Sequence, residues 1–230
     1  MVRVIFGLLS LCICATWSLQ TLDARSNADA VVAPALERFL TRADEPITSY
    51  TARRVLEGAN ARFKMRASME AITRFSEGRL TYTVLSETGS EYIREKVLRP
   101  ILQTEASVLE AGDPARSALT TANYDIGGGE LAEPGIVKLM AKPRRKELSL
   151  IDGAVFITSG DAELIRVEGR MAKNPSFWTT RVNVVRHYDR VAGVRVPVRL
   201  DSNAQIRFAG ESTLTMSYKY EMVNGVAVSP

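Results

Sequence analysis

The chain reads as a mainly β protein (α+β), a strongly curved antiparallel sheet of about eleven strands, an incomplete β-barrel, wrapping two or three helices. Three observations predict it. From Ile47 onward apolar residues recur with a period of two, and turn signals separate the runs. Only two segments, near 31–43 and 89–111, keep the spacing of an amphipathic helix. No repeat of fixed period and no low-complexity linker divides the sequence, so residues 25–230 are expected to form one domain.

Residues 1–24 come first. Arg3 precedes an apolar run from Val4 to Ala15, broken by Gly7 and Ser10, and Leu22-Asp23-Ala24 ends in a small residue where signal peptidase cleaves. That run is shorter than the roughly 20 apolar residues a bilayer crossing needs. The expectation is a cleaved signal peptide ending near Ala24, and hence a periplasmic or secreted protein. Both cysteines, Cys12 and Cys14, lie in this segment, and Leu11 and Ile13 stand where a lipidation signal needs a small residue. The remainder carries no thiol, so an ordinary apolar core must hold it.

Residues 25–30 are a polar lead-in. Val31, Val32, Ala35, Leu36, Phe39 and Leu40 then follow helical spacing, and Pro46 stops the helix. Residues 50–57, 64–75 and 80–84 form an antiparallel meander that turns at Glu77-Gly78. In its middle strand Met65, Ala67, Met69, Ala71 and Phe75 share one face, while Lys64, Arg66, Ser68, Glu70 and Arg74 take the other.

A second helix interrupts the sheet. Thr88 with Glu91 fits a capping box, and Gly112 a C-terminal cap. Its apolar stripe is Ile93, Val97, Leu98, Ile101, Leu102, Val108 and Leu109. Pro100 removes a backbone donor in its midst, so the helix kinks or splits there. It is either a packing helix or a lid jointed at Pro100.

Strands follow at 136–141, 147–151, 154–158, 163–170, 178–188, 194–200, 204–208 and 213–222. Asp152-Gly153 is a strong hairpin signal, with Ser159-Gly160-Asp161 and Ala192-Gly193 as further turns. Pro197 marks an edge, a bulge or a strand end. In the last strand Leu214, Met216, Tyr218, Tyr220 and Met222 face inward.

Catalytic constellations are scarce. His187 is the only histidine, which rules out a histidine-based metal cluster, and no Gly-x-Ser-x-Gly elbow presents a nucleophile. Gly127-Gly128-Gly129 lacks the Lys-Ser/Thr of a phosphate loop and reads as a flexible turn. The net charge of +4 is interspersed, which argues against nucleic acid as a partner. Residues 142–146, Lys-Pro-Arg-Arg-Lys, form the densest basic patch. They are a solvated hairpin tip or a contact for an anionic membrane surface or an acidic partner. The sequence therefore points to a non-enzyme without cofactor or metal. Apolar strand face exceeds the helical cover, which suggests a cavity for an acyl chain, lined by Ile93, Val97 and Ile101 with Trp178 near its mouth.

The order signal, helix, three strands, helical insert and long run of strands is similar to the LolA/LolB-like lipoprotein-carrier superfamily. Pro175-Ser176-Phe177-Trp178, residues 188–197 (Tyr-Asp-Arg-Val-Ala-Gly-Val-Arg-Val-Pro), Ile206 through Gly210 and Val223-Asn224-Gly225 resemble that group's closing hairpins, over roughly residues 160–225. The resemblance implies a half-barrel with an apolar pocket for a lipid or lipoprotein acyl chain. It also implies a buried arginine that holds the lid, for which Arg53, Arg54 and Arg66 all lie in the right region. The competing expectation is a structural or regulatory envelope protein whose sheet is filled by its own side chains and whose partner is another protein.

Overall fold

A computed structural model describes residues 17–110 and 114–229. Helix α1 (Trp17–Thr41) leads into the meander β1 (Ser49–Asn60), β2 (Met65–Ser76) and β3 (Arg79–Gly89). A second helical passage follows: α2 (Glu91–Ile93), a π-helical turn (Arg94–Leu98) and α3 (Arg99–Glu110). The remaining strands are β4 (Tyr124–Glu133), β5 (Ile136–Pro143), β6 (Ile151–Thr158) and β7 (Leu164–Met171). They continue with β8 (Thr179–Val191), β9 (Val194–Ile206), β10 (Gly210–Val223) and the short β11 (Val226–Ala227). All belong to one antiparallel sheet in the order β3-β2-β1-β10-β9-β8-β7-β6-β5-β4, with β11 beside β10. The sheet does not close, and β3 and β4 are its edges.

This is the expected half-barrel, with several boundaries corrected. Residues 1–16 of the expected signal, and Gly112, lie outside the described residues. The lead-in at 25–30 is helical, because 17–33 is rich in helix formers and free of Gly and Pro. The helix ends at Thr41, short of Pro46, and Leu40 is exposed while Val32, Ala35 and Phe39 are buried. Thr88 caps nothing: it lies in β3, where its hydroxyl meets that of Ser68 at 2.9 Å. Ser90 stands at the helix N-cap instead.

The total of eleven strands has a different membership from the expected one. Residues 147–151 and 154–158 are not two strands about an Asp-Gly turn. Asp152 and Gly153 lie inside β6, with Gly153 opposite Gly169 of β7. A Cβ on Gly153 would come within 2.1 Å of the Glu168 carbonyl oxygen, so glycine there allows close strand approach rather than a turn. Residues 194–200 and 204–208 likewise fuse into β9. Strands β4 and β11 were not foreseen. The Gly127–Gly129 run is not a turn: it sits within β4 as a bulge, with Gly128 at φ +54°. Gly129 gives the α1 residue Val32 room, since a Cβ would meet its Cγ1 at 2.5 Å.

Pro197 matches the bulge expectation. The β8–β9 register shifts between His187 and Tyr188, which faces Pro197, and the Pro197 carbonyl accepts a 2.8 Å hydrogen bond from the Tyr220 hydroxyl. A second irregularity overturns one inward assignment. Thr51 pairs with Met222 but Ala52 with Tyr220, so the strand slips by one residue at Glu221. Met222 therefore turns outward and Val223 is buried in its place.

The core has three parts. Helix α1 packs Val32, Ala35 and Phe39 against the inner faces of β4–β8. The α2–α3 passage packs Ile93, Leu98 and Leu102 on Leu56, Ala67, Met69 and Met216 of β1, β2 and β10. Tyr50, Leu80, Val194, Val196, Tyr220 and Val223 form the third cluster, near one rim.

Candidate functional site

Strand β1 alternates strictly. Tyr50, Ala52, Arg54, Leu56 and Gly58 face the concave side, while Arg53 and Val55 face out. This phase puts one guanidinium into the interior. Of the three candidate arginines, Arg53 is an outer-face residue paired with Glu70, Arg66 is exposed, and Arg54 is buried, with 1% of its side chain exposed.

Arg54 reaches the underside of α3. Its Nη1 donates to Glu105 Oε2 at 2.6 Å and its Nη2 to Glu105 Oε1 at 3.0 Å, a bidentate pair. Nη2 also donates to the Tyr50 hydroxyl at 2.6 Å. The guanidinium lies 4.6 Å from the Tyr218 ring centroid and 5.9 Å from that of Tyr50. Burial opposes its charge, but the Glu105 carboxylate together with Tyr218 and Tyr50 more than offsets this and holds the pKa above the ordinary arginine value. Across the concave face Arg186 of β8, also desolvated, is held charged by Tyr188, Tyr218 and Glu105. Burial pushes the Tyr218 hydroxyl up to about 12 and raises those of Tyr50 and Tyr220.

The helix is tied a second time at the edge strand. Arg99 donates to Glu87 of β3 through Nε at 3.0 Å and Nη2 at 2.6 Å, and Arg94 lies 3.5 Å from the same carboxylate. These arginines hold the Glu87 pKa below the usual carboxylate range. Between the two ties the backbone neither splits nor takes ordinary α form. Pro100 cannot donate to the carbonyl four residues back and its ring crowds that oxygen, and the wider π turn at Arg94–Leu98 absorbs the misfit.

The π turn also changes the stripe. Ile93 is buried, but the next fully buried residue is Leu98, five positions on, followed by Leu102 and then Glu105 over Arg54. Val97 and Ile101 flank the same cluster half-buried, and Val108 points to solvent. The structure therefore gathers Ile93, Val97 and Ile101 against Met69, Met216 and Leu56. Trp178 is not part of that cluster. It lies on the β7–β8 connection with its ring 5.6 Å from Phe177 and 6.0 Å from Phe208. The helix rests closely on the sheet: a Cβ on Gly58 would stand 2.8 Å from Ile93 Cγ2 and 3.2 Å from Leu98 Cδ2.

The arrangement is a buried cation and a partly exposed carboxylate fastening an apolar helix over an apolar, methionine-bearing sheet. Among the described residues no three His, Cys, Asp or Glu side chains gather around a common metal position, and no helix is long and apolar enough to cross a membrane.

No family model matches the chain, and no curated protein matches it. Among solved structures it is similar to the crystal structure of a DUF1329 family protein from Desulfovibrio piger ATCC 29098. The TM-score is 0.34 at 7% identity, over 84% of this chain and 91% of that one.

Proposed function

We propose that this chain is a non-catalytic cell-envelope protein, exported by way of residues 1–24, that holds an acyl chain of a lipid or lipoprotein between the α2–α3 helix and the concave sheet. This is the role that membership of the lipoprotein-carrier superfamily would imply. The observation that carries the reading is the Arg54–Glu105 pair, a buried charge spent on fastening one helix over apolar strand face. A pair of this kind is weak as a stabiliser, because desolvation offsets most of the Coulombic gain. It suits a fastening that is to be released. Lifting the helix would uncover Leu56, Met69 and Met216, and methionine adapts to the irregular shape of an acyl chain.

One observation favours a second reading. Leu98 and Leu102 are fully buried against the sheet, so the helix itself fills the concave face. A structural or regulatory envelope protein that binds another protein, with no lipid ligand, would be built this way.

Titration with a fluorescent fatty acid tests between them. Each buried methylene contributes about 0.8 kcal/mol, so an eight-carbon segment supports roughly micromolar affinity after association costs. Saturable binding that Val97→Glu weakens without loss of fold supports the lipid reading. Absent binding, together with no lipid in mass spectra of the purified protein, transfers support to the second. Sequencing the N-terminus of protein recovered from the periplasm tests cleavage near Ala24.

A further inference from the structure

The five most exposed large apolar side chains of the described residues are all aromatic, and all lie at one end of the sheet: Phe63, Tyr92, Phe177, Trp178 and Phe208, each more than half exposed. Phe63 is in the β1–β2 turn, Tyr92 follows the end of β3, Phe177 and Trp178 are in the β7–β8 connection, and Phe208 is in the β9–β10 turn. Strand pairing brings these connections together, because Asn60 faces Ser212 and Thr179 faces Ile206.

The platform is fastened rather than loose. The Arg207 amide donates to the Trp178 carbonyl at 2.8 Å, and the Asn60 side chain donates to the Ala209 carbonyl at 3.0 Å while accepting from the Phe63 amide at 3.0 Å. Phe208 holds a φ of +64°, a left-handed conformation that disfavours a bulky side chain and is natural for glycine or asparagine. The strain places an aromatic ring in solvent, where it adds nothing to the core, and strain of this sort gathers at functional positions.

The same end is cationic. Its turns carry Arg62 and Lys64 beside Phe63, Lys173 beside Phe177 and Trp178, and Arg207 stacked 4.9 Å over the Phe177 ring. The neighbouring β5–β6 connection adds Arg144, Arg145 and Lys146 against the single acid Glu147. Beside it lies a groove of about 490 Å³ lined by Lys142, Arg145, Lys146, Arg170 and Arg181, with Asp152 paired to Arg170. At the opposite end Glu77, Asp161, Glu163, Asp44 and Glu45 stand among Arg42, Arg190 and Arg195, which pair with Asp44 and Glu163. Charge at that end is thus largely paired off, while the end with the exposed aromatics carries an excess of cations.

We infer that this end is a membrane-docking tip that seats its aromatic rings at the headgroup level of an anionic bilayer. Exposed aromatics are suited to that level, apolar in body and tolerant of a wet edge, and a ring of lysine and arginine supplies the long-range attraction to anionic lipid. Neither a nucleic acid nor a self-complementary dimer accounts for both features together, since one needs a continuous basic track and the other would bring like charges face to face. The inference stands apart from the acyl-chain reading, because none of its residues lies in the helix–sheet cluster.

The test uses the full chain carrying Trp17→Phe, which leaves Trp178 as its only tryptophan. It is mixed with vesicles of equimolar phosphatidylglycerol and phosphatidylethanolamine, and separately with vesicles of phosphatidylcholine. With the anionic vesicles the Trp178 emission should shift to the blue and be quenched by brominated acyl chains, with little change for phosphatidylcholine. Adding Arg62→Gln, Lys64→Gln, Lys173→Gln and Arg207→Gln should weaken partitioning roughly fivefold per cation removed. Phe177→Ser with Phe208→Ser should reduce quenching while leaving the circular dichroism spectrum unchanged. Val97→Glu should leave vesicle binding as it is, whatever it does to fatty-acid binding. Unaltered Trp178 emission with anionic vesicles overturns the inference, as does quenching indifferent to all four charge substitutions. A concentration-dependent dimer dissolved by Phe177→Ser and Phe208→Ser would instead make the tip an interface between copies, and would also overturn it.

Discussion

Glu105→Gln is the sharpest probe of the interior. It keeps the size and one acceptor oxygen but removes the charge that faces Arg54. Deleting one partner of a buried ion pair typically costs about 3–5 kcal/mol, because the other charge stays buried and uncompensated. Arg54 is 1% exposed but Glu105 is 33% exposed, so water screens the pair from one side and the low end, about 3 kcal/mol, applies. The glutamine oxygen still accepts one hydrogen bond from the guanidinium, returning about 1 kcal/mol. A loss of about 2 kcal/mol remains. Urea unfolding should show it as a midpoint lowered by about 1 M, for a slope of about 2 kcal/mol per molar. Amides of α3 should also exchange faster than those of β5–β7, since the helix loses one of its two ties. A companion variant, Arg54→Met with Glu105→Leu, should recover most of the loss, as buried pairs replaced by apolar residues commonly do. If Glu105→Gln stays within about 0.5 kcal/mol of the parent, or the companion is less stable than the single variant, Arg54 is not held by this carboxylate and the fastening argument fails.

Other expectations concern the sheet. Gly58→Val should lift the helix, because even its first carbon would meet Ile93 Cγ2 at 2.8 Å; overpacking of this kind costs about 1–3 kcal/mol, and unchanged amide exchange through 91–102 would refute the close approach. Met216→Asp places an unpaired charge in a buried site and should abolish cooperative unfolding, whereas Lys219→Asp on the outer face should be nearly silent by the same thermal melt; equal effects would mean the β10 register is wrong. Tyr218 in the folded chain ionises at about 12 against an ordinary value of 10.0. The unfolded state therefore sheds this proton first, and the stability present below pH 10.0 should drain away between there and about 12. If Tyr218→Phe removes part of the tyrosinate absorbance that rises near the ordinary pH 10.0 without unfolding, the burial of that hydroxyl is contradicted.

Much of this architecture is legible in residue order. The period-two runs identify the sheet, but they leave Arg53, Arg54 and Arg66 all open as the buried arginine; the burial of Arg54 under α3 is what separates it from the other two. What escaped was whatever depends on a second segment. Asp152-Gly153 looks like a turn by itself, and only Gly169 across the ladder shows why glycine stands there. The glycines of β4 carry no strand signal, and of the three only Gly129 has its place explained by α1 lying over it. Met222 was misassigned because a bulge at Glu221 moves every later side chain to the other face, which no local pattern announces. In the second helix a π turn adds a residue that 3.6-fold counting does not contain, so Leu98 and Leu102 take the fully buried places, Val97 and Ile101 flank them half-buried, and Val108 points to solvent. Of the aromatic tip the sequence shows only the pair Phe177-Trp178. Its other members come from separate turns that the pairing of distant strands collects.

That pairing also dictates an order of assembly. The β1–β10 ladder joins the three-strand meander to the rest of the sheet, and its facing residues Asn60 and Ser212 are joined by a side-chain hydrogen bond across a sequence separation of 152 residues. Until β10 is made, the β1–β3 meander and the six strands β4–β9 are two separate sheets, each with an unsatisfied inner edge. Closing so long a loop is entropically costly, and topologies dominated by such contacts fold slowly. The finished protein is therefore sealed by nearly its last strand. A stop codon or a proteolytic cut shortly before Gly210 would do more than trim an end. It would part the three-strand meander from the six strands β4–β9 and leave two long raw edges, on β1 and β9, the kind of surface on which strands from other molecules add.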